Sequence, residues 1–186
     1  LTGPITFLAE AAVKNVSVGG ARWEKILDYG RGPSAMEVFP VTTAPIQPPN
    51  LAPCLEYPVY FARAGKFDVE LITAPTLDTI PGRGLGIAVS IDNQVPQVVN
   101  VFTPETYKDE TPHFGKNYHK NVSDNARVMR FAQTIDKPGK HTLKITMVDP
   151  TVAVQKVIIH DTKLPNSYFG PLENKLNDTA HWFQIL

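Results

Sequence analysis

Seventeen prolines are spread through the 186-residue chain, and they limit most of what it can fold into. A proline inside a helix removes a backbone hydrogen bond and clashes with the preceding turn, at about 3 kcal/mol or more. Proline-free windows long enough for several helical turns are therefore few. The longest, residues 5–32, is interrupted by Gly19-Gly20 and Gly30. Val, Ile and Thr supply 46 residues, a quarter of the chain, and their branched Cβ atoms suit a pleated strand. The chain reads as all-β.

Short apolar or alternating runs recur between turn signals, as strands do. They cover residues 5–10, 23–27, 35–39, 55–62, 67–73, 85–91, 97–102, 128–135, 140–148 and 152–159. Arg63-Ala64-Gly65-Lys66 has the length of a hairpin connection. Residues 128–135 and 140–148 read as a second hairpin across Asp136-Lys137-Pro138-Gly139. About ten short strands with turns between them predict an antiparallel β-sandwich of the jelly-roll kind. The expected organisation is one module over residues 1–186, with an extended strap from about residue 161 that ends in the apolar Trp182-Phe183. The start, Leu1-Thr2-Gly3-Pro4, lacks an initiator Met, so the chain reads as a piece of a longer polypeptide.

Charge and motif content exclude several functions. Eighteen Lys and Arg balance 18 Asp and Glu, which removes the basic footprint that a nucleic-acid or anionic-membrane partner requires. No apolar run approaches the length of a membrane-crossing helix. Cys54 is a single cysteine, and the five histidines form no i,i+4 pair, so neither a disulfide nor a metal or other cofactor is expected. Gly82-Arg83-Gly84-Leu85-Gly86 precedes a strand instead of following one, which makes it a turn and not a phosphate cradle. Glycosidases need two carboxylates flanking the scissile bond, and no compact acidic pair falls at a strand end. Ser34 and Ser167 lack the nucleophile-elbow setting. The chain by itself reads as non-catalytic.

What remains is rings and forked donors in turns. Residues 103–126 carry Tyr107, Phe114, Tyr118 and His119 with little periodicity, apart from one helical turn expected near residues 118–123. A connection this long in a compact β domain is more often functional than filler. Tyr29 and Arg83 sit in other turns. Aromatic faces stack on the C–H groups of pyranose rings while polar side chains bond the hydroxyls. A carbohydrate site is therefore expected from Tyr118 and Tyr29, with Arg83, Tyr107, Phe114 and His119 near it. The competing expectation is that these rings pack beneath their own loops. Trp23 and Trp182 are expected to pack in the core or against another domain.

Specific blocks also resemble a known family. They are Trp23-Glu24-Lys25-Ile26-Leu27-Asp28-Tyr29-Gly30-Arg31, Ser34 to Pro40, Leu55-Glu56-Tyr57, Ala74-Pro75-Thr76-Leu77 and Gly82 to Asp92. Asp124-Asn125-Ala126-Arg127, Gly139 to Pro150, Val154 to Ile159 and Ser167-Tyr168-Phe169-Gly170-Pro171-Leu172-Glu173 continue the series. Together they are similar to the C-terminal domain of glycoside hydrolase family 115, the xylan α-1,2-glucuronidases. The resemblance implies a non-catalytic terminal β-sandwich whose partners are xylan or glucuronoxylan, the parent's upstream catalytic domains, and a second subunit in a homodimer. The family's catalytic motifs have no counterpart here. The chain is also similar to carbohydrate-binding module families 6 and 35, in which an Ala-Glu step on the first strand helps to hold a structural calcium. Ala9-Glu10-Ala11 matches that step, but Lys156 stands where those modules carry an acid, and Asp149 is the nearest substitute. In chain order, Tyr29 and Tyr118 fall near the modules' stacking aromatics.

Overall fold

The computed structural model describes residues 3–79, 83–102, 118–174 and 183. Strands alternate their side chains between two faces, and the apolar half of each alternation meets the same half of a facing sheet. One sheet holds β3 (Arg22–Leu27), β4 (Ser34–Phe39), β11 (Val154–His160), β6 (Gly65–Thr73) and β9 (Arg127–Ile135) in that order, with β1 (Ile5–Leu8) also paired to β11. The other runs β2 (Lys14–Val16), β5 (Cys54–Phe61), β10 (Gly139–Met147), β7 (Gly86–Ile91), β8 (Gln97–Asn100). Every named strand pairing is antiparallel. Helix is confined among the described residues to a 3-10 turn at Ala9–Ala11 and α1 (Tyr118–Ser123), where the one helical turn was expected. The all-β antiparallel sandwich predicted from proline and β-branched content is the fold observed.

The two hairpins predicted around residues 63–66 and 136–139 do not form. β5 and β6 lie in different sheets, as do β9 and β10. Residues 62–64 carry the chain from the second sheet to the first, and residues 136–138 carry it back. The links are neighbours, because Gly65 pairs with Ile135 and Gly139 with Phe61. Each link ends on a glycine at positive φ, +145° for Gly65 and +138° for Gly139. That backbone is readily adopted only without a Cβ, and it bends the strand out of one sheet into the other, as sandwich corners require. The period-two pattern is the same for a hairpin and for this corner, so the sequence did not distinguish them. The pair at residues 86–91 and 97–100 is a true hairpin.

The core fills the space between the sheets. Phe7, Trp23, Leu55, Tyr57, Phe61, Leu71, Ile87, Ile91 and Phe131 are fully buried there. Trp23 is thus a core residue, while Trp182 lies outside the described residues. The chain after β11 crosses the outer face of the first sheet and is tied to β1 by Asn174 N–H donating to Thr6 O (2.7 Å) and Thr6 N–H to Asn174 Oδ1 (2.6 Å). Further on, Phe183 pairs with the edge of β5 through Pro58 O and Tyr60 N–H. Its ring stacks on Phe7 at 4.3 Å, and Phe7 in turn packs on Tyr57 at 4.8 Å. We predict that Phe183→Ala lowers unfolding stability in urea by roughly 3–5 kcal/mol, the cost of deleting a buried ring. A loss below about 1 kcal/mol, the scale of an ordinary surface change or less, would show that this contact is not integral to the fold.

Candidate functional site

The predicted site residues that are described lie in three places: Tyr29 in the β3–β4 turn, Tyr118 and His119 in α1 just before β9, and Arg83 in the segment before β7. β7, β9 and β11 all begin away from the two corner links, whereas the β3–β4 turn lies beside β11 on the link side of the Met36–Val154 bridge. The decisive local feature is in β11. Its ladder to β6 slips between Val154 and Lys156. Unbulged alternation would point Lys156 into the core beside Val154. One extra residue instead leaves Val154 and Val157 both buried and Lys156 partly exposed. Bulges re-aim side chains in this way.

The bulge keeps Lys156 out of the core, and beside it Gln155 is 2% exposed. Its Oε1 accepts from Arg31 N–H at 2.6 Å, and its Nε2 donates to Asn125 O at 3.1 Å. Asn125 Nδ2 donates to Gly30 O at 2.7 Å. A Cβ at Gly30 would stand 2.1 Å from Gln155 Cδ, so only glycine permits this approach. Arg31 completes the seam, with Nε donating to Asp124 O at 2.5 Å and one terminal nitrogen to Tyr168 O at 2.7 Å. Its guanidinium also lies 4.4 Å from the centre of the Tyr168 ring. The turn bearing Tyr29 and the helix bearing Tyr118 are therefore held together by one buried amide and one arginine.

Tyr29 is half exposed. Burial, and then the neighbouring Glu37 carboxylate, push its phenol above the ordinary range. Burial likewise raises the Glu37 carboxyl. Glu37 faces Glu24 directly across the β3–β4 ladder, mid-strand on the outer face, and Arg22 binds Glu24 at 2.9 Å. Tyr118 opens α1 and packs edge-on to exposed His119 at 5.8 Å between ring centres. Arg83 belongs to a separate cluster near β7. Both of its terminal nitrogens face the buried Asp149 carboxylate, so the fork expected to meet a uronate is engaged inside the protein. Tyr107 and Phe114 lie outside the described residues. Sequence reasoning did not assign Gln155, Arg31 or Tyr168 to the site, although each lies in one of the blocks that carry the family resemblance: Trp23 to Arg31, Val154 to Ile159 and Ser167 to Glu173.

The residues at the Ala-Glu step do not fit a calcium ion. Glu10 Oε2 is bonded by Lys25 Nζ at 2.5 Å and by Ser34 Oγ at 2.5 Å. Asp149, the substitute ligand, is held by Arg83 and by Gly86 N–H at 2.6 Å. Lys156 reaches outward to Phe169 O at 2.9 Å. Calcium needs six to eight oxygens, whereas the Glu10 carboxylate already has an ammonium as its counter-charge. The bond from Lys25, then that from Ser34, holds the Glu10 carboxyl below its usual range. A depressed carboxyl pKa stabilises the folded state above the unfolded value of about 4.3 and is lost as pH falls through the folded value. The stability gap between wild type and Glu10→Gln should thus be open at pH 7 and close below about pH 4. Thermal unfolding midpoints should be equal in chelator and in millimolar calcium. A calcium-dependent rise would reinstate the ion.

Residues 2–173 match the glycosyl hydrolase family 115 C-terminal domain. No curated protein matches the chain significantly. Among solved structures, the chain is similar to a family GH115 4-O-methyl-α-glucuronidase, BtGH115A, described as specific for decorated arabinogalactans. That match has 19% identity and a TM-score of 0.52, over 82% of this chain and 18% of that one. The fold also matches the C-terminal family 6 carbohydrate-binding module of LamC from Zobellia galactanivorans, at 11% identity and TM-score 0.56 over 86% of this chain and 100% of that module. A family 35 module from Clostridium thermocellum matches at 10% identity and TM-score 0.53, over 87% and 100%. The chain thus spans about a fifth of the glucuronidase and the whole of each module. It belongs to the glycoside hydrolase family 115 C-terminal domain family.

Proposed function

We propose that residues 1–186 form one non-catalytic, glycan-binding accessory module of a multidomain glycoside hydrolase, with xylan or a glucuronic-acid-bearing chain as ligand. The observation that carries this reading is the Gln155–Asn125–Arg31 seam. Rings contribute more to sugar affinity when the segments that carry them are held in place before the ligand arrives. The seam holds the Tyr29 turn against α1 without using either ring. In this reading Tyr29 and Tyr118 are the stacking faces, His119 contributes hydrogen bonding, and Tyr107 and Phe114 come from the adjoining connection. Arg83 shapes the neighbouring loop through Asp149. The half-exposed Tyr168, which lies against Arg31, is a further ring at the seam.

A second reading, a domain that packs on the parent's other domains or on another subunit without sugar affinity, is favoured by one observation. Phe169 and Leu172, three residues apart on the strap, are 66% and 90% exposed, and large apolar side chains open to solvent in one segment suit a protein neighbour. Calorimetric titration with glucuronoxylan fragments separates the two readings. Tyr29→Ala and Tyr118→Ala should each weaken binding by about threefold to tenfold, the loss of one aromatic platform. No binding by the wild type would transfer the case to the packing reading. The purified module should release no glucuronic acid from decorated xylan, and turnover abolished by changing one acid would contradict the non-catalytic assignment.

A further inference from the structure

The strap of residues 161–173 does not lie flat on the first sheet. Between it and the outer faces of β6, β9 and β11 runs a groove of about 1200 Å³. None of Tyr29, Tyr118 and Arg83 lines it, although Arg31, Asp124, Gln155 and Tyr168 of the neighbouring seam also border it. Its floor is apolar, made by Ile72, Val128 and Ile158, and Leu164 of the strap packs on part of that floor. We propose that this groove is a second glycan site, which takes the carboxylate of a uronate residue between Arg130 and Lys163 while the sugar's C–H face rests on the floor.

The argument is one of charge. The groove is lined by five Lys or Arg side chains and three Asp or Glu, on a chain whose net charge is zero. Each of the three carboxylates already has a cation: Glu70 accepts from Arg130 Nε at 2.8 Å, Asp124 pairs with Lys120 and Arg31, and Glu173 pairs with Lys156. The excess positive charge is localised. Lys163 is exposed and has no partner among the described residues. Arg130 is engaged through Nε alone, which leaves its two terminal nitrogens without a partner among the described residues, on a side chain that is 66% exposed. Glu70, backed by His160 Nε2 at 3.4 Å, orients the guanidinium plane from behind. A planar fork with two free donors suits a carboxylate. Cations above an apolar floor select a ligand with both an anionic group and a C–H face, which a uronate has and an inorganic anion lacks.

The sugar part of this assignment rests on the glycan-binding reading; the anionic part does not. The test is calorimetric titration of the 186-residue chain with four probes: glucuronate-bearing xylotetraose, its carboxyl-reduced counterpart, unsubstituted xylotetraose, and a ten-residue glutamate peptide. Wild type, Arg130→Gln, Lys163→Gln, the double variant and Tyr29→Ala are compared, with melting curves to verify folding. We expect the glucuronate probe to bind more tightly than its reduced form and to weaken with added salt. Each single glutamine variant should weaken that binding about tenfold, the loss of one charged hydrogen bond. The two neutral probes should respond to Tyr29→Ala and not to the glutamine variants. Equal binding of the acid and its reduced form, or unchanged affinity in the double variant, would overturn the groove assignment while leaving the Tyr29 reading intact. Failure of the neutral probes together with a salt-sensitive, Arg130-dependent acid response would overturn the Tyr29 reading and support the groove. Binding of the glutamate peptide at equal strength would overturn the sugar assignment in favour of an acidic protein segment.

Discussion

The extra residue in β11 is the constraint on which the candidate site depends. This strand pairs with β1, β4 and β6, so any error in its phase would pass to half of the first sheet. Strict alternation through Val154-Gln155-Lys156-Val157 cannot bury both valines: in phase with Val154 it turns Lys156 into the core, and in phase with Val157 it turns Val154 out. Burying an unpaired ammonium costs far more than distorting one step of a ladder. The bulge removes that conflict, and beside it a buried amide stands where two turns must meet. Gln155 then satisfies the Arg31 N–H and the Asn125 carbonyl, which ties the β3–β4 turn to the segment after α1. The core and the candidate site thus share one solution.

Internal ion pairs recur with the same logic. Glu10 is held by Lys25, Asp149 by Arg83, Glu70 by Arg130 and Glu173 by Lys156. Asp149 is the most buried of these acids and has the most donors, consistent with a role in shaping the turn before β7. At the Ala-Glu step the Lys25 ammonium is the counter-charge of the Glu10 carboxylate. Because the acids are consumed internally, a chain of zero net charge still presents uneven charge outside. The groove beneath the strap is where the surplus cations gather.

Much of this was legible beforehand. The strand at residues 127–135 buries every second residue without exception, and Met129, Phe131 and Ile135 mark that phase in the sequence, although Arg127 and Gln133 are also buried and Val128 and Ala132 face outward. The turn at residues 28–33 and the helical turn at residues 118–123 were also readable from composition. The two false hairpins were not, because alternation reports which side chains face inward and says nothing about which sheet receives the strand. Lys25 resembled any exposed strand lysine until the register placed Met36 opposite it and Glu10 within reach. Glu24 and Glu37, 13 positions apart, became neighbours only through the same ladder.

The sequence by itself determined that this chain would be an antiparallel β-sandwich with irregular, ring-bearing turns, and the family blocks along it indicated which sandwich. Proline geometry and branched Cβ atoms act locally, so their consequences are written where the residues stand. The sheet each strand joins, the bulge at Gln155, the engagement of Arg83 by Asp149 and the groove under the strap were decided only in the tertiary structure. Each depends on a partner dozens of residues away, and on the cost of burying an unpaired charge or an open ladder, which no local stretch of sequence carries alone.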